Sequence, residues 1–399
     1  MFFRADPNRC SMTYMFELPQ YIDISLPAEV NASFPKYRMV VYGEGEGKHI
    51  TRLRKQKLTG VPVLFIPGNA GSYKQVRSLA SVALRKAIDD TDYHQHFDFF
   101  SVDFGEELSG LYGGTLEQQT QFVCHCIRRI LALYTKQQAP PTSVVLVGHS
   151  MGGLLAKAVF TQPELLPGPA AVRVIISLAA PHSPALLLDS HIESFYQGLS
   201  QVKLPEEVSV VSVGGGARDW QVRSGLAADP SAADLAVVTE AVPGVWASTD
   251  HQCIVWCKQL VLAITRALFD LVEPASGQVS EDLVYRSAVL RHHLKEPRVT
   301  SKQYREREVG AAVVVDRDGY WADILKRQFT VEKGEVTCEQ YSSWRVEEAG
   351  SSSPHTKMTV EAVGLAGEDW LLGCRKAGTN RNTQVCSEYK KEMFEPSTF

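Results

Sequence analysis

One short segment, residues 144 to 153, limits the folds open to this chain more than any other. It reads Val-Val-Leu-Val-Gly-His-Ser-Met-Gly-Gly, so an apolar β-type run leads directly into Gly-x-Ser-x-Gly, and helix-forming residues follow. A strand, a tight turn and a helix in this order form a nucleophile elbow, whose glycines leave room for the strained backbone of the serine. The segment predicts that Ser150 is a catalytic nucleophile; the alternative is a structural turn.

A second glycine-rich turn follows an earlier apolar strand. The stretch from 61 to 73 reads Val-Pro-Val-Leu-Phe-Ile-Pro-Gly-Asn-Ala-Gly-Ser-Tyr. In enzymes with a nucleophile elbow, such a loop supplies one backbone N–H of the oxyanion hole, and the residue after the serine supplies the other. We therefore predict donors at Met151 and at Asn69 or Ala70, with Gly68 letting the loop approach the substrate. The alternative is an ordinary strand-to-helix turn.

The acid and the base of a catalytic triad are expected after the serine, in that order. Three further apolar strands are predicted after the elbow: 172–178, 208–213 and 235–239. Asp219 follows the second of these strands, and His251 follows the last one. We predict that His251 accepts the proton of Ser150 and that Asp219 orients the histidine.

Other residues compete for these two roles. His182 ends the strand after the elbow but precedes every plausible acid, so we predict that it lines the pocket. His149, inside the elbow, is expected to point away from the serine and to pack or hydrogen-bond locally. Asp250 adjoins the predicted base and would have difficulty reaching back to its ring. Asp229 and Asp234 lie in a polar segment and are expected to be solvated.

The order of the predicted elements indicates the fold class. Strands and helices alternate up to about residue 275, which predicts an α/β-hydrolase with a mostly parallel central sheet covered by helices. After it we predict a linker or helical segment at 276–300 and a small antiparallel, β-rich domain at 301–399. Turn signals there separate short β-type runs at 310–315, 328–331, 335–338 and 357–363. One interpretation of this last domain is that it is incomplete. The first domain, 1–275, carries every predicted site residue.

The net charge of the chain argues against nucleic acid as a partner, and the predicted triad calls for no cofactor. A net charge of −4 over 399 residues provides no basic footprint for nucleic acid. No run of about 18 consecutive apolar residues is present, and the N-terminal residues lack the apolar core of a signal peptide. We expect no metal and no organic cofactor, because a triad and backbone donors suffice for ester hydrolysis.

Eight cysteines leave several interpretations open. Cys253 and Cys257 stand four apart on one face of a predicted helix, where core packing or a disulfide is favoured over a metal site. Asn31-Ala32-Ser33 is a permitted glycosylation acceptor, which matters only in a secretory compartment. Disulfides are also open to the cysteines in loop or β-type contexts, which are Cys10, Cys338, Cys374 and Cys386.

Several segments resemble the signature segments of the GPI inositol-deacylase family. They are 8–15, 66–80, 102–107, 148–153, 215–219 and 250–257. The runs Pro-Gly-Asn-Ala-Gly-Ser-Tyr and Asp-His-Gln-Cys-Ile-Val-Trp-Cys are far more distinctive than Gly-x-Ser-x-Gly. Residue by residue, the family's serine, acid and histidine fall on Ser150, Asp219 and His251, which agrees with the reading of the residues.

This resemblance implies a luminal ester hydrolase of the endoplasmic reticulum membrane. Such enzymes remove the acyl chain from the inositol of GPI anchors, which licenses export of the anchored protein. The implied partners are GPI-anchored proteins and a membrane lipid surface, without nucleic acid. Family members carry membrane-spanning helices that this sequence lacks, so we interpret the chain as a fragment, a processed form or a short form. The alternatives are another lipase or esterase of this fold and a non-catalytic form that binds GPI-linked cargo.

Overall fold

The computed structural model describes residues 8–89, 95–184, 189–229, 235–273 and 276–295, together with five strands beyond residue 300. The chain divides into two compact units, residues 1–300 and 301–399. The first unit contains all the predicted site residues. Among the described helices, none combines the length and the apolar character that crossing a bilayer demands.

The first unit is built on an eight-stranded sheet with the order β1-β2-β4-β3-β5-β6-β7-β8. Its strands are β1 (Pro19–Asp23), β2 (Arg38–Glu44), β3 (Val61–Ile66), β4 (Phe97–Asp103), β5 (Val144–His149), β6 (Val172–Leu178), β7 (Ser209–Gly214) and β8 (Ala236–Val238). β2 runs antiparallel to its two neighbours, and every pair from β4 to β8 is parallel. This mostly parallel sheet confirms the predicted α/β-hydrolase fold class. A separate antiparallel pair is formed by β9 (Val272–Glu273) and β10 (Gln278–Val279).

Helices cover both faces of this sheet. They are α1 (Ala28–Ser33), α2 (Lys48–Arg54), α3 (Arg77–Asp89), α4 (Leu116–Leu133), α5 (Met151–Ala158), α6 (Ser190–Gln201), α7 (Ser224–Ala227), α8 (Lys258–Asp270) and α9 (Leu283–Leu294). Successive residues of a strand point to opposite faces. Val63 and Leu64 of β3 are both fully buried. Burial on both faces explains why the central strands are continuous apolar runs instead of alternating ones.

α9 belongs to the first unit, where it packs against α8 and β7. Arg286 of this helix is fully buried. Its guanidinium donates to three oxygens, which are Ser209 Oγ at 3.2 Å, the Ser280 carbonyl at 2.6 Å and the Glu207 carbonyl. The segment that the sequence set apart as a linker at 276–300 therefore packs onto the sheet-containing unit over its described residues.

A disulfide fastens the N-terminal segment to the start of α8. Cys10 and Cys257 are bonded across a sequence separation of 247 residues. Cross-linking so distant a pair restricts the unfolded chain and, by its loss of chain entropy, stabilises the fold by about 5 kcal/mol. Cys253 lies in a single 3-10 turn at Cys253–Val255, and Cys257 is the N-cap of α8. The two therefore do not share the α-helical face that the sequence predicted.

Beyond residue 300 the described elements are all β-strands. They are β11 (Val314–Asp316), β12 (Ala322–Asp323), β13 (Trp344–Arg345), β14 (Gly373–Asn380) and β15 (Thr383–Lys390). β14 and β15 form an antiparallel hairpin, β11 adds to β15 in antiparallel fashion, and β12 pairs with β13 in parallel. The sequence missed β14 and β15, whose many polar and small residues mask a strand pattern. The β-type runs predicted at 328–331, 335–338 and 357–363, and Cys338, lie outside the described residues.

Candidate active site

Ser150 occupies the sharp turn between β5 and α5. Its backbone is left-handed, with φ 54° and ψ −127°, a strained conformation for a residue with a side chain. Its N–H donates to the Leu178 carbonyl at the end of β6, at 2.8 Å. A Cβ on Gly148 would lie 2.4 Å from the Gly152 oxygen, and a Cβ on Gly152 would lie 2.0 Å from the Ile66 oxygen. The strand, turn and helix predicted from the motif are therefore present, and only glycine fits at both flanks.

The loop after β3 passes directly beside the serine. A Cβ built on Gly68 would lie 2.6 Å from Ser150 Cβ and 3.1 Å from the Met151 nitrogen. Met151 opens α5, so its N–H is one of the first-turn amides that have no acceptor within the helix. The positive end of the helix dipole also points at this spot. The Gly68 loop and the Met151 amide therefore converge beside Ser150, where the sequence predicts the oxyanion hole.

The two alternatives for the second donor differ in the structure. Ala70 has φ 51°, and its N–H already donates to the Glu107 carbonyl at 2.9 Å. Asn69 is held through its side chain, whose Oδ1 accepts from the Gly110 N–H at 2.9 Å. Within the part of the chain that the structure describes, the Asn69 main-chain N–H has no protein acceptor. Of the two, Asn69 has the amide that remains open to an oxyanion.

Asp219 and His251 are brought together at the carboxyl edge of the sheet. His251 Nδ1 lies 3.0 Å from Asp219 Oδ2, and the Asp219 side chain is fully buried. The other carboxylate oxygen, Oδ1, accepts from the Gln221 N–H at 3.1 Å and the Val222 N–H at 2.8 Å. These bonds fix the rotation of the carboxylate. A histidine that donates its Nδ1–H to a carboxylate keeps Nε2 unprotonated, as a proton acceptor requires.

Asp250 has a different function in the structure. Its Oδ1 accepts from the Gln252 N–H at 3.1 Å and from the Cys253 N–H at 2.7 Å. A short side chain that accepts from amides two and three residues ahead caps the turn that follows it. Among the described residues, the carboxylate that contacts the His251 ring is that of Asp219.

His182 and Asp229 lie in a buried polar network behind the elbow. His182 Nε2 is 2.8 Å from Ser177 Oγ, and its Nδ1 is 3.4 Å from Asp229 Oδ2. Asp229 also pairs with Lys157 of α5 at 3.0 Å. The His182 side chain is 3% exposed within this network, and its predicted role in lining the pocket stays a prediction. The Asp229 side chain is fully buried, so it is not solvated as the sequence led us to expect. The partner Lys157 stands far away in sequence, which hides the network from local patterns. Asp234 lies outside the described residues.

Three cysteine sulfurs form the only candidate metal-binding cluster within the described ranges. The Sγ atoms of Cys10, Cys253 and Cys257 all lie within 4.8 Å of one another. Two of these sulfurs are joined in the disulfide, which leaves the buried Cys253 as a single thiol. One thiol does not provide the three or four ligands that a protein zinc site uses.

Two buried histidines predict how stability depends on pH. Burial lowers the pKa of His149 to about 4 and that of His182 to about 4. In the unfolded chain both titrate near pH 6.5, so between about pH 4 and pH 6.5 the unfolded state binds more protons than the folded state. The contribution of these two neutral histidines to stability is therefore fully present above this window, and it is lost as the pH falls through the window. We expect the free energy of unfolding to fall by about 4 kcal/mol between pH 7 and pH 5.

Urea unfolding at these two pH values measures this loss. The double variant His149→Gln, His182→Gln lacks both titrating rings and should show a distinctly smaller difference between the two pH values. An equal pH dependence in the double variant and the wild type would show that other groups cause the acid destabilisation.

Gly68→Ala tests the close approach of the loop to the serine. The new Cβ would lie 2.6 Å from Ser150 Cβ and 2.7 Å from the His149 oxygen. Relief of this collision must move the loop, and such displacements cost on the order of 10²-fold in rate. We expect at least this loss in the rate of labelling by a serine-directed fluorophosphonate. The control is Gly198→Ala on exposed α6, where no atom lies within 4 Å of the new Cβ; equal rates in both variants would contradict the geometry.

The amino-acid sequence is similar to one family model and to several curated proteins. A family model described as the PGAP1-like alpha/beta domain matches residues 57–271. The GPI inositol-deacylase of Rattus norvegicus is 39% identical over 99% of this chain and 43% of the relative. That of Xenopus laevis is 48% identical over 73% of this chain and 32% of the relative. That of Drosophila melanogaster is 34% identical over 96% of this chain and 41% of the relative.

Among solved structures, a truncated carbohydrate esterase from gut microbiota covers 66% of this chain at 14% identity and a TM-score of 0.38, a distant likeness. This chain spans less than half the length of the curated relatives it matches. The family model runs from just before β3 to the end of α8. It thus includes Ser150, Asp219 and His251. The chain belongs to the GPI inositol-deacylase family, whose PGAP1-like alpha/beta domain it carries at residues 57–271.

Proposed function

We propose that this chain is the catalytic unit of a serine ester hydrolase that removes the acyl chain from the inositol of GPI anchors. Ser150 is the nucleophile, His251 the general base and Asp219 the acid that orients it. The observation that carries this proposal is the pairing of His251 Nδ1 with the buried Asp219 Oδ2 at 3.0 Å, beside a strained serine elbow. The names of the relatives supply the substrate class.

The reaction proceeds in two halves. Ser150 Oγ attacks the acyl carbonyl carbon while His251 Nε2 takes the hydroxyl proton. The Met151 and Asn69 amides stabilise the oxyanion, and collapse of the tetrahedral intermediate releases the inositol oxygen, which receives the proton from His251. Water, activated by His251, then attacks the acyl-serine and releases the fatty acid. No step requires a metal or an organic cofactor.

Exposed apolar side chains near the site support a lipid surface as partner. The segment whose Gly110 amide holds Asn69 also exposes large apolar groups, and Trp220 next to Asp219 is 82% exposed. The exposed members of that segment are Leu108, Leu111 and Tyr112. Aromatic rings with one apolar and one polar end favour the boundary between water and lipid. We therefore propose a membrane surface and GPI-anchored proteins as the partners.

Two features support a location in the lumen of the endoplasmic reticulum. The Cys10–Cys257 disulfide is typical of an oxidising compartment. Asn31 of the glycosylation acceptor is exposed at the surface of α1. We propose that the chain acts there, at the membrane, and that deacylation supports export of GPI-anchored proteins.

The decisive experiment presents the purified chain with an inositol-acylated GPI-linked peptide in detergent micelles, and mass spectrometry follows fatty-acid release. Wild type should lower the mass of the substrate by that of the released acyl chain, and Ser150→Ala should leave the mass unchanged. Hydrolysis of p-nitrophenyl butyrate without any action on the acylated inositol would indicate another esterase of this fold. Binding of the peptide by wild type without turnover of either ester would indicate a non-catalytic form.

A further inference from the structure

We propose that His149, the variable residue of Gly-x-Ser-x-Gly, is a positioning residue that holds the main chain of His251. This inference rests on the proposed function, because it assigns a partner to the base of the proposed triad. The geometry of the elbow requires no particular side chain at position 149, because the glycines and the serine form the turn. The side chain at position 149 is therefore open to a second purpose.

The contact joins the elbow to the histidine loop directly. His149 ends β5 and is 2% exposed, and its Nε2 lies 2.7 Å from the main-chain oxygen of His251. The two imidazole rings are 4.9 Å apart, with an angle of 42° between their planes. A carbonyl oxygen accepts only, so Nε2 carries the proton and His149 is the donor. The residue before the nucleophile thus holds the backbone of the residue that deprotonates it.

The chemistry of the site keeps His149 neutral. Its Nδ1 is buried and has no hydrogen-bond partner in the described part of the chain. A second proton there would place a charge in a buried site without an acceptor, close to His251. Burial first, and the charge of His251 second, lower the pKa of His149 to about 4. His149 therefore donates to the carbonyl at neutral pH without adding a charge beside the base.

His251 is held at two separate points by this arrangement. Asp219 holds the ring through Nδ1, which sets its tautomer. His149 holds the carbonyl, and no other donor to this oxygen occurs among the described residues. The hydrogen bonds of the two preceding residues do not involve the His251 carbonyl. The Thr249 N–H donates to the Gly215 carbonyl at 2.7 Å, and Asp250 caps the turn that follows. Loss of the His149 bond thus releases the Cα of His251 while the ring keeps its acid partner.

The test compares three variants by fluorophosphonate labelling rate and by kcat and KM on a soluble p-nitrophenyl ester. His149→Leu removes the donor, and His149→Gln returns an N–H at the distance of Nε2. The matched control is Tyr134→Phe, which deletes a buried bond from the Tyr134 hydroxyl to Asp98 Oδ2, 2.7 Å long. Asp98 lies at the start of β4, the sheet edge opposite the elbow. All assays run well below the lowest melting temperature of the set.

We expect His149→Leu to lower kcat and the labelling rate by about 10- to 100-fold, with KM changed by no more than about twofold, because misplacement of a catalytic group affects chemistry more than binding. His149→Gln should recover to within about fivefold of wild type. Tyr134→Phe should lose stability yet label at the wild-type rate.

Four results would overturn the inference. If His149→Leu labels like wild type while Ser150→Ala is inert, the triad stands and His149 only packs. If the Leu and Gln variants lose rate equally, or if Tyr134→Phe loses as much, general destabilisation accounts for the effect. If wild type itself is not labelled, the proposed triad fails, and the assignment of His149 fails with it.

Discussion

Ser150→Ala should lower ester turnover by on the order of 10⁵- to 10⁶-fold and abolish fluorophosphonate labelling, while the melting temperature stays close to that of wild type. The substitution removes one oxygen and keeps the Cβ. The Ser150 N–H bond to the Leu178 carbonyl belongs to the main chain and survives. Alanine and serine both carry a Cβ, so the backbone strain at φ 54° is the same in the variant and in wild type. The loss is therefore one of chemistry and not of fold.

The matched control for this variant is Ser200→Ala on the exposed side of α6. Ser200 Oγ donates to a carbonyl within the same helix, far in sequence from the elbow. This control should retain wild-type turnover, labelling and melting temperature. Turnover by Ser150→Ala within about 100-fold of wild type would exclude a serine nucleophile at this position, because oxyanion stabilisation and binding alone leave far less activity.

Asp219→Asn should cost on the order of 10⁴-fold in kcat, as in serine proteases. The backbone amides of Gln221 and Val222 donate to Oδ1, so the oxygen of the asparagine stays there. Its NH₂ group then faces His251 Nδ1 and forces that nitrogen to accept. The proton moves to Nε2, where it blocks removal of the Ser150 proton. The wrong tautomer, with the same shape, explains so large a loss.

Asp250→Asn is the control for Asp219→Asn, because it changes the neighbouring carboxylate in the same way. An asparagine at position 250 keeps an oxygen for the Gln252 and Cys253 amides, and asparagine caps turns as well as aspartate does. We expect kcat within about threefold of wild type. The reverse pattern, a large loss at 250 and a small one at 219, would reassign the orienting acid.

The sequence predicted the strands and the elbow of the first unit closely because their signals are local. β5 and the elbow follow from apolar residues next to glycines, and buried parallel strands are continuous apolar runs. The order of serine, acid and histidine along the chain follows the order of the strands that carry them. Ser150, Asp219 and His251 were therefore selected without knowledge of a contact, and the structure places the last two at 3.0 Å.

The sequence failed where a residue's surroundings come from distant segments. Asp229 has the composition of a solvated loop, but α5 brings Lys157 to it. Ala70 and Asn69 were equivalent candidates until Glu107 of a later loop occupied the Ala70 amide. Cys10 had several candidate partners, and only the path of the N-terminal segment along the start of α8 selects Cys257.

One physical reason separates the features that the sequence predicted from those that it missed. Strand, turn and helix preferences arise from interactions between residues that are close in sequence. The elbow, the strands of the sheet and the candidate triad can therefore be predicted from the sequence. Hydrogen bonds between buried groups depend on atoms that meet only after the sheet has formed and water has been excluded. The donor to the His251 carbonyl, the buried Lys157–Asp229 pair and the Cys10–Cys257 bond belong to this second class. Tertiary structure alone decides them.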